Sequence, residues 1–284
     1  MGEQTAIGWT DATWNPVTGC TKVSPGCLHC YAETLDKRFH RDGPYVPWTV
    51  ASQRKAGVGA IHLHSERLDA PLHWKKPRRI FVNSMSDLFH KDVPDEFILQ
   101  VFSVMWAASQ HQFQVLTKRP RRMLVWLNNV ARSNLDGFAQ ILDPLDWNYV
   151  SVRWPLPNVW LGVSVENQRC ADERLPLLAK CPAAVRFVSV EPLLGPLSKL
   201  RPYLINPHDT DWIDGQGYGA VLQWVIVGGE SGPGHRPMQV EWVQSIADQC
   251  TAAGVPLWVK QDSGPRPGQQ GRLSDALWER KEMP

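Results

Sequence analysis

Val159-Trp160-Leu161-Gly162-Val163-Ser164-Val165-Glu166 is a continuous apolar run that closes on a carboxylate. A strand with one wet face alternates apolar and polar residues, so a run without that alternation suits a strand buried on both faces of a parallel sheet. The same pattern recurs in Ile80-Phe81-Val82-Asn83-Ser84, Phe113-Gln114-Val115-Leu116-Thr117-Lys118, Val185-Arg186-Phe187-Val188-Ser189-Val190-Glu191, Trp224-Val225-Ile226-Val227-Gly228-Gly229-Glu230 and Leu257-Trp258-Val259-Lys260-Gln261. Helical segments lie between several of them. Pro94-Asp95-Glu96 opens one with a proline and acids in the first turn, and Phe97, Val101, Val104, Met105 and Ala108 follow on one face. Another runs from Glu241 to about Ala253, with Val243, Ile246, Ala247 and Cys250 on one stripe and Gly254 as its stop. Weaker helical patterns cover Glu33 to Arg41, Arg121 to Val130 and Gln168 to Lys180, the last interrupted by Pro176. Alternating strand and helix predicts βαβ units. With a further strand expected just before Cys20, the fold class is α/β: one domain over residues 1–284, a full or partial (β/α) barrel of TIM type, with a doubly wound open sheet as the alternative.

Two stretches rich in Pro, Gly, Asp and Asn, 143–157 and 201–219, read as long loop insertions. The C-terminal tail, 263–284, begins with the glycine- and proline-rich 263–271, which reads as flexible or as an extended wrap.

The chain has 284 residues, 43% hydrophobic and 20% charged, and a formal charge of +2. That is a globular profile, and the near-neutral sum neither selects nor excludes a nucleic-acid partner. The fourteen tryptophans read as core and groove packing before base stacking. The N-terminal residues lack the basic and apolar regions of a signal peptide. The longest apolar stretch, Phe97 to Ala108, is too short for a bilayer and is broken by Gln100 and Ser103. A cytoplasmic, non-membrane protein is therefore expected. In that compartment clustered cysteines are metal-binding or catalytic more often than disulfide-bonded.

Three of the six cysteines, Cys20, Cys27 and Cys30, share one loop, Gly19-Cys20-Thr21-Lys22-Val23-Ser24-Pro25-Gly26-Cys27-Leu28-His29-Cys30-Tyr31. A closed structural zinc site takes four protein ligands, and a simple electron-carrying iron–sulfur cluster takes four cysteines. Three soft thiolates suit either metal and leave one position open. Cys170, Cys181 and Cys250 are scattered and read as buried, inert thiols.

Parallel α/β folds bind ligands at the C-terminal ends of their strands. There this sequence carries Asn83, Ser84 and Asp87; Thr117, Lys118 and Arg119; Ser164, Glu166 and Asn167; Glu191; Gly228, Gly229 and Glu230; and Lys260 and Gln261. Together they predict a polar, carboxylate-bearing pocket opposite the cysteine loop, which itself would follow the first strand. Gly228-Gly229-Glu230-Ser231-Gly232 resembles an anion-binding turn without the full dinucleotide or Walker pattern. Two basic clusters, Lys75-Lys76-Pro77-Arg78-Arg79 and Lys118-Arg119-Pro120-Arg121-Arg122, fall at opposite ends of strands, so they form no single phosphate-binding stripe. The second, at the predicted mouth, is the better candidate for an anionic substrate.

Several motifs carry a family resemblance over almost the whole chain: Trp9-Thr10-Asp11-Ala12-Thr13-Trp14-Asn15-Pro16, the cysteine loop, Asn83-Ser84-Met85-Ser86-Asp87-Leu88-Phe89, Leu116-Thr117-Lys118-Arg119-Pro120, Gly162-Val163-Ser164-Val165-Glu166-Asn167, Ser189-Val190-Glu191-Pro192, Gly228-Gly229-Glu230-Ser231-Gly232, and the closing Trp278 to Pro284. The chain looks like a phage- and bacteria-associated family of three-cysteine-motif proteins of uncharacterised function. That family in turn resembles radical S-adenosylmethionine (SAM) enzymes. The resemblance implies that Cys20, Cys27 and Cys30 hold a [4Fe-4S] cluster whose fourth iron binds SAM. An electron donor such as flavodoxin or ferredoxin would then drive SAM cleavage, and the adenosyl radical would abstract hydrogen from a substrate. It also implies cofactor contacts from His29, Asn83, Ser84, Asp87, Ser164, Glu166, Glu191, Gly228, Gly229 and Glu230, and substrate contacts from Lys118, Arg119 and Lys260. The sequence departs from the common pattern in two places. Six residues, rather than three, separate Cys20 from Cys27, and the glycine–glycine–glutamate run falls much later than the second strand. Asn83, Ser84 and Asp87 occupy that earlier place.

The expected function is thus reductive cleavage of SAM by an iron–sulfur enzyme, with a nucleic acid or nucleotide as the favoured substrate class. Two alternatives stand beside it. One is a zinc-bearing nucleic-acid-binding module closed by His29 or His40. The other is a non-catalytic barrel that binds a partner protein.

Overall fold

The computed structural model describes residues 5–39, 61–132, 152–204 and 222–284. Nine strands are present among the described residues: β1 (Ala12–Trp14), β2 (Val17–Thr18), β3 (His62–Leu63), β4 (Arg79–Val82), β5 (Gln112–Thr117), β6 (Val159–Ser164), β7 (Val185–Val190), β8 (Trp224–Gly228) and β9 (Leu257–Gln261). The α-helices among the same residues are α1 (Tyr31–Phe39), α2 (Asp95–Ala107), α3 (Pro120–Arg132), α4 (Gln168–Ala179), α5 (Val240–Ala253) and α6 (Asp275–Trp278). Seven strands make one parallel sheet in the order β1-β4-β5-β6-β7-β8-β9, while β2 and β3 pair antiparallel on their own. The strand order is linear, with β1 and β9 at its two ends. This is a mixed α/β fold of the partial (β/α) kind.

All six apolar runs become strands of this sheet. The run that ends at Glu166 is buried at every position of β6, as a strand covered on both faces must be. The strand that stands just before Cys20 is β2, outside this sheet; the sheet's seventh strand is the earlier β1, which pairs in parallel with β4 from Ala12↔Ile80 to Trp14↔Val82. Helix α2 is buried beyond the predicted stripe, because Ile98, Phe102 and Ser103 are covered as well. Pro176 stays inside α4, which runs on to Ala179 and is preceded by Asn167, whose side chain caps the Cys170 amide. Of the two predicted insertions, only residues 152–157 and 201–204 fall among the described residues.

The chain divides into two compact, discontinuous units. The first comprises Met1–Thr21, Ala32–Leu161 and Cys181–Ala184; the second comprises Lys22–Tyr31, Gly162–Lys180 and Val185–Pro284. The start of β6 belongs to the first unit and its end to the second. In the first unit Trp9, Trp14, Trp74, Trp126 and Trp160 are core residues. Trp9 tilts against Phe81 at 4.8 Å between ring centroids, Trp14 against Phe113 at 5.9 Å, and Trp126 against Phe102 at 4.7 Å. In the second, Phe187 packs on Trp224 at 5.6 Å. Tilted pairs of this kind add to the area they bury.

The 263–271 segment differs from the flexible or extended reading. Gln261 Oε1 accepts from the Gly268 amide at 2.9 Å, the Asp262 amide donates to Gln269 O at 3.0 Å, and Gly264 O accepts from the Gly232 amide at 3.0 Å. Buried Asp262 pairs with Arg272 at 2.8 Å. Burial pushes the Asp262 carboxyl up, but Arg272 and two backbone amides outweigh it and hold it below the ordinary range. A buried carboxylate needs such partners, and supplying them folds the segment back on β9. Residues 280–282 continue along the outer edge of β9, where the Val259 amide donates to Arg280 O and the Glu282 amide to Leu257 O. This covers a strand edge that would otherwise be left open.

Candidate functional site

The residues predicted for one pocket fall into both units. Cys20, Asn83, Ser84, Asp87, Lys118 and Arg119 belong to the first; Cys27, His29, Cys30, Ser164, Glu166, Glu191, Gly228, Gly229, Glu230 and Lys260 belong to the second.

In the first unit the polar residues after β4 and β5 fasten the chain that leads to Cys20. Asn83 takes the left-handed conformation (φ 60°), which asparagine tolerates better than most residues. Its Oδ1 accepts from the Val17 amide at 3.2 Å, and its own amide donates to Trp14 O at 2.8 Å. Ser84 Oγ and the Met85 amide both donate to Asn15 Oδ1, at 3.2 and 3.0 Å. Asp87 accepts from Thr117 Oγ1 at 2.7 Å and from the Lys118 and Phe89 amides at 3.0 Å each. Arg119 turns away from the solvent to donate through Nη2 to Thr21 O at 3.0 Å and to Thr21 Oγ1 at 2.8 Å. His90, fully buried, completes the anchor: its Nδ1 accepts from the Asp92 amide, so Nε2 carries the proton donated to Thr21 Oγ1 at 2.8 Å. Burial, with Arg119 nearby, lowers the His90 pKa to about 4. Much of the basic mouth segment is thus structural, since Arg122 is likewise spent on His90 O, Val93 O and Asp95.

In the second unit a one-turn helix, Pro25–Cys27, carries Cys27 at its end. Glu166, just beyond β6, is fully buried and paired with Arg174 of α4 at 3.2 Å. Arg174 also donates to Ser164 O at 2.6 Å. On the loop side Ser24 Oγ donates to Glu166 Oε1 at 2.7 Å and lies 3.7 Å from Cys27 Sγ. Gly26 is demanded here, because a Cβ on it would stand 2.6 Å from Glu166 Cγ and Oε1. Glu230 is buried as well, with His29 Nδ1 at 3.0 Å from its Oε2 and the Arg236 amide and Nε at 2.8 and 2.9 Å. Burial raises the Glu230 carboxyl, yet Arg236 and His29 outweigh it and hold the group below the ordinary range.

At the ends of β7 and β9, Glu191 Oε1 meets Lys260 Nζ at 3.0 Å across the intervening β8. Gly228 makes that crossing possible, since a Cβ there would come within 2.7 Å of Glu191 Oε1 and 3.3 Å of Lys260 Cβ. Ser189 Oγ donates to the other Glu191 oxygen at 3.1 Å. Gly229 is no open anion-binding turn: its amide is bonded to Gln261 O at 3.0 Å.

None of the six cysteines is in a disulfide; Cys20, Cys27 and Cys30 are part-exposed, and Cys170, Cys181 and Cys250 are buried. Burial pushes the Cys170 thiol up to about 11 and the Cys250 thiol up to about 12, which makes both poor nucleophiles. The loop thiols fit an iron–sulfur or zinc centre by donor chemistry. Among the described residues, however, no three or more Cys, His, Asp or Glu side chains are gathered as a ready metal cage. His40, weighed as a zinc ligand, lies outside the described residues.

Sequence reading missed Arg174, Arg236, Ser24, Thr21 and His90. Arg174 left a signal, a cation four residues from each of Cys170 and Leu178 on the buried stripe of α4. Arg236 sits in a glycine-rich turn with no period to mark it.

No helix among the described residues is long and apolar enough to cross a membrane. No curated protein and no solved structure matches the chain. A family model described as "Protein of unknown function (DUF5131)" matches residues 4–279, and the chain belongs to that family.

Proposed function

We propose that the protein is an iron–sulfur enzyme of the radical SAM type, on a partial (β/α) barrel, with Cys20, Cys27 and Cys30 as the cluster's protein ligands. The observation that carries this reading is the loop itself: three part-exposed cysteines, none in a disulfide, in a segment that buried polar groups hold by several bonds. When bound, a [4Fe-4S] cluster with an open iron would supply the electron that cleaves SAM. The chain's own part is to present the thiols, to orient SAM and to admit substrate. Glu191 and Lys260, both part-exposed, offer opposite charges at the strand ends, suited to the ammonium and carboxylate of SAM's amino-acid moiety. A nucleotide or nucleic acid, drawn by Lys118 and the exposed Arg121, is the favoured substrate class.

Anaerobic reconstitution with iron and sulfide should give a brown protein with about four irons per chain, as a [4Fe-4S] centre requires. Reduction in the presence of SAM should then release 5′-deoxyadenosine. A protein that binds only zinc and leaves SAM intact sinks the proposal, and Cys27→Ala should abolish the colour while the fold survives.

A further inference from the structure

Two buried carboxylates of the second unit spend their bonds on the cysteine loop. Glu166 takes the Ser24 hydroxyl on one side and the Arg174 guanidinium on the other, and Gly26 lies against its side chain. Glu230 takes His29 Nδ1, and its partner Arg236 also donates to Pro25 O at 3.0 Å. Both acids therefore grip the segment from Ser24 to His29, which carries Cys27 and leads into Cys30. A carboxylate offers about four lone-pair sites. Glu230 Oε2 already accepts from His29 and from the Arg236 amide and Nε, while Oε1 accepts from Arg236 Nη2. Glu166 is wholly shielded from solvent. Glu230 thus has no lone-pair site left for a ligand, and Glu166 has no exposed atom to offer one.

We infer that Glu166 and Glu230 are positioning residues that hold the Cys27–Cys30 segment, not groups that contact a bound cofactor. This departs from the family resemblance, which puts both acids on the cofactor. Its importance for catalysis rests on the iron–sulfur reading, but its test does not, because it is made on metal-free protein.

The experiment is alkylation of the full, metal-free chain with iodoacetamide, scored at each cysteine by peptide mass spectrometry. Cys181 and Cys250 are fully buried and report global opening. Ser24→Ala removes only the loop's donor and leaves the Glu166–Arg174 pair intact; Glu166→Asp keeps the charge and shortens the reach. Each should raise Cys27 alkylation about tenfold, the scale of one hydrogen bond to a charged group, with Cys181 and Cys250 unchanged. His29→Ala and Glu230→Asp should do the same at Cys30. Because Ser24→Ala and Glu166→Asp cut the same bond, the double variant should react no faster than the faster single. Additive effects, an unchanged Cys27 rate, or Cys181 and Cys250 rising in step would each overturn the inference. A protein that shows the selective pattern yet takes up no iron keeps this inference and loses the iron–sulfur reading instead.

Discussion

The two ends of the cysteine loop are held by opposite chemistry. At the Cys20 end, in the first unit, the loop accepts: Thr21 offers its carbonyl and hydroxyl oxygens to the Arg119 cation and to a neutral His90. At the Cys27 end, in the second unit, the loop's side chains donate: Ser24 and His29 give hydrogen bonds to the carboxylates of Glu166 and Glu230, while the backbone oxygen of Pro25 accepts from Arg236. The difference teaches that strand-end charges in this protein are not one undivided pocket lining. Those after β5 are turned into a cationic anchor and those after β6 and β8 into anionic ones. Glu191 and Lys260, at the ends of β7 and β9, stay part-exposed and pair with each other.

The sharpest way to break the comparison is at the anionic anchor. Arg174→Leu would leave Glu166, fully buried, without its counter-ion. Breaking a buried pair from one side costs about 3–5 kcal/mol, which urea unfolding would show as a large drop in midpoint at an unchanged slope. A loss under about 1 kcal/mol would mean that the pair is wet and the anchor weak. At the cationic anchor, Arg119→Gln should cost about 1.5–3 kcal/mol, the scale for hydrogen bonds to a charged donor. It should raise the alkylation rate of Cys20 and leave that of Cys27 alone. If both thiols respond to either change, the two anchors are one device.

Much of the fold was legible because a strand buried on both faces writes itself as an apolar run, and β6 is buried at all six positions. What escaped was short. β1 spans three residues and β2 and β3 two each, too few for any period to show, and β2 finds β3 beyond the whole of α1. The candidate site was legible as a set of residue types but not as a set of bonds. Glu166 and Glu230 stood out at strand ends, yet whether they face a ligand or the chain depended on Arg174, Ser24, His29 and Arg236. Such pairings are fixed by tertiary contact, and only Arg174 betrayed itself, as a cation on an apolar stripe. Arg119 misled for the same reason: its basic cluster suggested an anion-binding mouth, whereas its guanidinium is spent on Thr21.

The smallest expected effect separates the anchors by pH. His90 has a folded pKa of about 4 against an ordinary 6.5, because its burial, with the Arg119 cation nearby, outweighs the opposite pull of Asp92 and Asp87. Above pH 6.5 the imidazole is neutral whether the chain is folded or not, and it contributes no pH dependence. As pH falls from 6.5 towards 4 the unfolded chain binds a proton that the folded one refuses, so stability declines through that window and levels off below it. Between pH 7 and 6 the loss is under about 1 kcal/mol. Glu230, held below the ordinary carboxylate range, contributes stability that is present above that range and is lost only at lower pH. Urea midpoints measured from pH 7 to 5 should therefore fall in the wild type and stay flatter in His90→Gln, while Glu230→Gln should keep the wild-type slope in that window. An equal slope in wild type and His90→Gln would remove the neutral imidazole from the cationic anchor and leave Arg119 to hold Thr21.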